Sequence, residues 1–438
     1  MMAIVLENAL LVDIDPIRVE PGALRIDGGR IVQRGRVVDR AGADEVIDCA
    51  GAVVMPGLVN GHAHLYSALA TGMPPPARAP SNFREVLEFV WWRLDRALDA
   101  ESVETSGRIG ALDALHCGTT TLIDHHASPE CIEGSLDHLE RGIAEVGLRA
   151  VLCYETTDRN GRAGREAGIA ENRRYLARRR GARDGRFAGM VGAHASFTLE
   201  DETLDALAEL ADEFSTGVHI HVAEDPCDEQ DCRQKQGVSL IDRLADRGVL
   251  RPASIFAHGT HLDAAAIERV NAVGVTLAHN PRSNMNNAVG YARIGSFRCP
   301  VLLGTDGIGG DMFTEAKHAW FKACDAHAAI TPADVLAMLA MSARRASTAL
   351  GVTLGRLDSG AAADVVVTDY QPATSLTADN LAGHFLFGSG PQHVRHVMID
   401  GRWALRDRTV VTCDERRARR NAVSVASALW SRMTGQAG

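Results

Sequence analysis

Short apolar runs alternate with longer amphipathic stretches through the middle of the chain, from residue 53 to about residue 306. Eight of these runs read as strands: 53–64, 119–125, 148–155, 189–194, 217–222, 253–258, 274–279 and 300–306. Stretches of helical periodicity separate most of them, for example 101–116, 201–214 and 239–247. Eight strand–helix units over about 250 residues is the size of a (β/α)8 barrel. The expected fold class is therefore α/β, with the barrel spanning residues 53–350.

The flanks follow a different rhythm. Residues 3–14 are largely apolar, and LRIDGGRIVQRG sets a Gly-Gly turn between two β-rich runs. A similar phrase, VMIDGRWALRDRTVV, returns at 397–411. Together they predict a small β-sandwich domain assembled from both chain ends, 1–52 and 351–413. A final helix is expected over 414–438, its basic stripe forming a solvated face. After the first barrel strand comes a proline-rich stretch, 71–82, and then the helical FREVLEFVWWRLDRALD. Trp91 and Trp92 suit either a lid over the barrel mouth or packing against the barrel, and Trp92 is a candidate substrate contact.

Nearly every predicted strand ends in a side chain able to do chemistry: His64, His125, Glu155, His194, His221, His258, His279 and Asp306. Barrel enzymes place their sites at the C-terminal ends of the strands, so these groups are expected at one mouth. Composition narrows the choice of chemistry. A net charge of −10 and a pI near 5.9 argue against a nucleic-acid partner. Nine scattered cysteines fit a reducing compartment better than a disulfide framework. With no basic leader and no apolar stretch of membrane length, a cytoplasmic protein without a membrane partner is expected.

His62 and His64 lie two residues apart in the first strand, so both imidazoles point to one side and suit a divalent metal such as zinc. In the fifth strand, VHIHVAED, His219 and His221 share a side, and His221 lies nearer the mouth; it is the third candidate ligand. Glu224, three residues on, is placed to act as general base toward a metal-activated water. Asp306, in LGTDG, ends the strand that closes beside the first, where a carboxylate either ligates the metal or hydrogen-bonds its water. His258, in SIFAHGTH, is positioned to polarise the bond under attack or to steady the developing oxyanion.

These residues resemble the amidohydrolase superfamily, in the branch of cytosine deaminase and the triazine deaminases and chlorohydrolases. WWRLDRALD, IDHHASP, ETTDRN, HNPRSNMNN and LGTDGIGGDMF are most similar to the SsnA-type aminohydrolases. The resemblance implies metal ligands at His62, His64, His221 and Asp306, an acid/base glutamate at Glu224 and a catalytic histidine at His258. It implies one divalent ion per chain, zinc before iron. Binuclear relatives use a carboxylated strand-four lysine, and the chain's lysines, Lys235, Lys317 and Lys322, lie elsewhere. His194 matches a substrate-contacting histidine of the branch. Some purine deaminases carry glutamine three residues after the second motif histidine, where this chain has Ser67.

The implied activity is hydrolytic release of ammonia from a small amino-substituted N-heterocycle. His125, Glu155, His194 and Asn284 are the further candidates for reading the ring. The same site could instead open a cyclic amide or imide, or displace chloride from a triazine. A catalytically silent scaffold would have lost ligands, and all six positions are intact. The H-x-E and P-C-x-x-C pair of the nucleotide-editing deaminases is absent. A homo-oligomer, dimer or larger, is expected, with no residue pattern that sets its size.

Overall fold

Gly57 divides the stretch expected as one strand, 53–64, into two strands with different partners. In this computed structural model, which describes residues 2–182 and 184–435, Val53–Pro56 pairs with Val365–Thr368 and Ile4–Ile14. Leu58–Ala63 pairs instead with Thr119–His126. The backbone N–H of Gly57 donates to the Asp364 carbonyl, and that of Leu58 to the Gly118 carbonyl. A Cβ at position 57 would lie 2.3 Å from Thr120 Oγ1, so only glycine lets the chain cross between sheets here.

The two chain ends build one nine-stranded sheet. Ile4–Ile14, Ile17–Asp27, Arg30–Gly35, Glu45–Asp48 and Val53–Pro56 come from the N-terminal side. Val365–Thr368, Val394–Ile399, Arg402–Arg406 and Thr409–Val410 come from the C-terminal side. Both hairpin turns read from the sequence are present. Gly28 and Gly29 hold φ of +59° and +80°, a region glycine enters without the steric cost of a Cβ. Leu6, Leu11, Leu24, Ile26, Val54, Val365 and Met398 fill this sheet's own core.

The barrel strands run Leu58–Ala63, Thr119–His126, Arg149–Tyr154, Val191–Ala195, Val218–Val222, Ile255–His258, Thr276–His279 and Val301–Leu303, with Phe187–Gly189 as a lower part of the fourth. All pair in parallel with their neighbours. Parallel bridges Ala63–Asp306 and Thr156–Ala193 join the four- and five-stranded halves at both seams. Arg149, fully buried, forms ion pairs with Asp364 and Asp400 and so ties the barrel to the terminal sheet.

The C-terminal helix, Glu415–Gly435, packs on Ala100–His116. Ala418, Ala422, Val425, Leu429 and Met433 form its buried stripe, while Arg416, Arg417, Arg419 and Arg420 are exposed and Arg432 turns in to the Ala97 carbonyl. The last three positions assigned to it, 436–438, lie outside the described residues. None of the nine cysteines is in a disulfide. Among the described residues no helix is long and apolar enough to cross a membrane.

Candidate metal centre at the barrel mouth

Three imidazoles converge with the same nitrogen facing inward. His64 Nδ1 stands 2.6 Å from the His125 carbonyl, and His221 Nδ1 stands 2.8 Å from the His194 carbonyl. A carbonyl only accepts, so each Nδ1 carries the proton and each Nε2 presents a lone pair. His62 Nδ1 contacts His219 Nε2 at 2.8 Å, and its own Nε2 is buried without a hydrogen-bond partner. His64 Nε2 and His221 Nε2 nevertheless face each other at 3.1 Å. Two lone pairs at that distance repel unless a proton or a metal ion lies between them.

Asp306 completes the cluster. Its Oδ1 lies 2.9 Å from His64 Nε2 and 3.4 Å from His62 Nε2. Ligands about 2.0–2.1 Å from a tetrahedral ion stand roughly 3.3 Å apart, so these separations match the edges of such a site. The donor set, three imidazole nitrogens and one carboxylate oxygen, therefore fits a divalent metal. Electrostatics agree. Burial would lower His64, but the hydrogen bond and charge of Asp306 outweigh it and raise the ring to about 9; a proton then substitutes for the cation. Burial holds His62 down at about 3. Burial would raise Asp306, but the two histidines hold it well below the usual carboxylate range.

Glu224 lines the cavity beside this cluster, and the fully buried His258 stands against both. His258 Nε2 is 3.4 Å from Glu224 Oε2 and 3.9 Å from Asp306 Oδ2. His258 follows the outward row of its strand, paired in register with Val222, while Ala257 lies beside the inward His221. A left-handed backbone, φ +75°, turns its ring back into the mouth. Asp306, at φ +56°, is likewise held in this uncommon region. Such strain persists only where surrounding contacts impose it. Burial raises Glu224 to about 7, with His258 opposing and the Asp306 charge adding to the shift.

Not every strand-end group reaches the cavity. His279 shares the outward parity of His258 without the compensating turn, and it packs against Tyr291 with ring centres 5.8 Å apart. The expectation that it faces the mouth is corrected. Asn284 does not line the cavity either; its Oδ1 lies 2.8 Å from His258 Nδ1, so it orients that ring. His125 lies behind the three converging imidazoles, with Nε2 near the Ala193 and His219 carbonyls and Nδ1 3.2 Å from Glu155. Glu155, His194 and Trp92 do line the cavity, together with Trp91, Phe83 and Leu87. Burial would raise Glu155, but His194 and His125 hold it ionised well below its ordinary range.

The two tryptophans sit on a cover, residues 83–96. It is helical, with a π-helical turn at Leu87–Trp91 between two short α segments. The extra residue of that turn rotates Trp92 relative to the residues before it.

Residue-by-residue reading missed three roles. Ser283 Oγ donates to Asp306 Oδ2, and Asn287 Nδ2 donates to Glu224 Oε1 at 3.3 Å and lies 3.4 Å from Ser283 Oγ. Both belong to HNPRSNMNN, and their i, i+4 spacing on the helical turn after strand seven puts them on one face. That spacing was the available signal. The third is His219, which stands below the mouth and supports His62.

Residues 53–404 match the amidohydrolase family. The chain belongs to it. The family inferred from the motifs is thus the family found, and the chain is a hydrolase. Over 444 aligned residues it is 30% identical to the 5'-deoxyadenosine deaminase of Methanosarcina mazei, covering 99% of this chain and 100% of that one. It is also 30% identical to the 5-methylthioadenosine/S-adenosylhomocysteine deaminase of Desulforudis audaxviator, covering 93% and 95%. An adenosine deaminase from Xanthomonas campestris, solved with bound zinc, superposes with a TM-score of 0.85 at 22% identity, covering 98% of this chain and 99% of that one. An atrazine chlorohydrolase from Arthrobacter aurescens complexed with zinc superposes at 0.82 with 20% identity, covering 97% and 100%. Amidohydrolase relatives of the same fold thus hold a metal in the solved structures.

Proposed function

We propose that this amidohydrolase is a metal-dependent aminohydrolase that removes an exocyclic amine from a small N-heterocycle as ammonia. One observation carries the reading: ligand atoms of Glu224, His258 and Asp306 converge within 4.8 Å of one another beside the three-imidazole cluster. His62, His64, His221 and Asp306 would hold one divalent ion. Zinc is the first choice for a nitrogen-rich tetrahedral set, ahead of iron. Such an ion supplies a lowered water pKa, from about 15.7 toward 7.

The chain's own groups do the rest. Glu224 takes a proton from the attacking water and delivers it to the ring nitrogen, which makes the adjacent carbon the electrophile. The water oxygen bonds to that carbon. His258, its Nδ1 held by Asn284, aims Nε2 at the developing charge. Asp306 shares in orienting the water, with its Oδ2 held by Ser283. The proton left on the new hydroxyl then passes to the amine, the C–N bond breaks, and ammonia leaves a ring carbonyl. Glu155 and His194 face the remaining ring edges, and Trp92 offers a flat wall.

No lysine or arginine lines this cavity among the described residues, so a phosphate would find no counter-charge there. A free ring or nucleoside fits better than a nucleotide, and the free ring is our reading. The test is an ammonia-release screen with metal-replete enzyme over aminopyrimidines, aminopurines, pterins and aminotriazines, each as free ring and, where available, nucleoside. Ammonia from a free ring supports the reading. Ring opening of a cyclic amide, or chloride release from a chlorotriazine, with no ammonia from any amine, overturns it.

A further inference from the structure

The cover over the mouth is fastened by an ion pair in which neither partner touches the cavity. Asp95, on the cover helix Trp92–Arg96, pairs with Nη2 of Arg159, which lies four residues beyond Glu155 in the loop after the third barrel strand. Their side chains are 2% and 11% exposed. Breaking such a pair on one side strands a buried charge and is costly, whereas removing both partners is far cheaper.

The pair also reaches the substrate wall. The guanidinium carbon of Arg159 lies 4.8 Å from the ring centre of Trp92, three residues before Asp95. A cation over an indole face within about 6 Å is an attractive contact. Trp92 in turn meets His194 edge to face at 6.0 Å, and His194 Nε2 lies 3.8 Å from Glu155. One arginine therefore bonds the cover, covers the outer face of its wall residue and stands in the loop that carries Glu155.

We infer that Asp95 and Arg159 are positioning residues: their pair latches residues 83–96 shut and fixes Trp92 as the wall against which the substrate ring lies. The latch follows from the contacts themselves; the wall rests on the deaminase reading. A closed cover must open for exchange of substrate and product. Its other anchors include Leu94, fully buried in the main core, the apolar contacts of Phe83 and Leu87 with Val289, and a hydrogen bond from Arg93 Nη2 to the Met433 carbonyl of the C-terminal helix.

The test uses the full-length, metal-loaded enzyme and an Asp95→Leu/Arg159→Met double variant, which removes both charges at similar volume. Amide hydrogen exchange over 83–96 should accelerate by about tenfold or more, while strand 119–126 keeps its protection. With a ring found by the ammonia screen, KM should rise by about tenfold and kcat should stay within about threefold, because the chemical groups are untouched. Unchanged exchange over 83–96 overturns the latch. A fall in kcat with KM unchanged overturns the wall. Should the double variant fold poorly, Arg159→Lys, which keeps the charge but loses the planar stack, tests the wall by its KM, and Asp95→Asn, which removes the charge at nearly constant shape, tests the latch by the exchange of 83–96. If no ring yields ammonia, the deaminase reading has failed, and the exchange comparison still decides the latch.

Discussion

His62 Nδ1 lies 2.8 Å from His219 Nε2, and this contact turns the other nitrogen of His62 toward the centre of the barrel mouth. His219 is fully buried one layer below the three converging imidazoles. It acts as the backing partner that backbone carbonyls supply to His64 and His221. Backing partners orient metal ligands, and losing one typically costs 10–100-fold in metal affinity or activity. We expect His219→Leu to stay folded and to weaken metal binding by about that factor, measured by competition with a chelating dye.

Removing a ligand itself has a larger effect. His62→Ala and His64→Ala should each lose metal and activity together, and the wild-type enzyme should bind one ion per chain by elemental analysis. Dialysis against a chelator should abolish turnover, and adding back a single equivalent of divalent metal should restore it. Two ions per chain, both required for turnover, would contradict the single ion proposed above.

Glu224 is expected to separate from the ligands in behaviour. Glu224→Gln should retain the metal and lose about 10²- to 10⁴-fold in kcat, since the amide keeps the shape but accepts no proton. Metal loss in this variant would make Glu224 a ligand rather than a base.

The pH profile follows from the same residue. A general base must be ionised, so kcat/KM should fall as the pH drops through the pKa of Glu224. In the metal-free protein burial lifts that pKa to about 7, and a bound cation draws it lower. The acid limb should therefore lie below pH 7 in the loaded enzyme and vanish in Glu224→Gln. An acid limb that persists in the variant would assign it to another group.

Asn287 and Ser283 bridge the two carboxylates, and their removal should affect turnover more than binding. Asn287→Ala and Ser283→Ala are each expected to lower kcat by about tenfold with metal content unchanged, in line with the loss of one hydrogen bond to a charged group. Steady-state kinetics beside elemental analysis checks this.

Much of the molecule could be read from the chain alone. Strand periodicity marked the barrel, and glycine turns marked both hairpins of the terminal sheet. That His62, His64, His221 and Asp306 converge on one spot was legible because parity in a strand and position at its C-terminal end are local properties. What the chain could not settle by itself were departures from that local regularity. Gly57 breaks one apparent strand because Thr120, more than sixty residues away, leaves no room for a Cβ. His258 and His279 have the same strand parity, yet only His258 enters the mouth, since its left-handed backbone is imposed by the packed site around it. Asn284 looks like a ring contact in sequence and becomes a support for His258, and Arg159 meets Asp95 across sixty-four positions. Hydrogen-bond partners and buried charge pairs depend on which surfaces close on one another, and only the tertiary structure decides that.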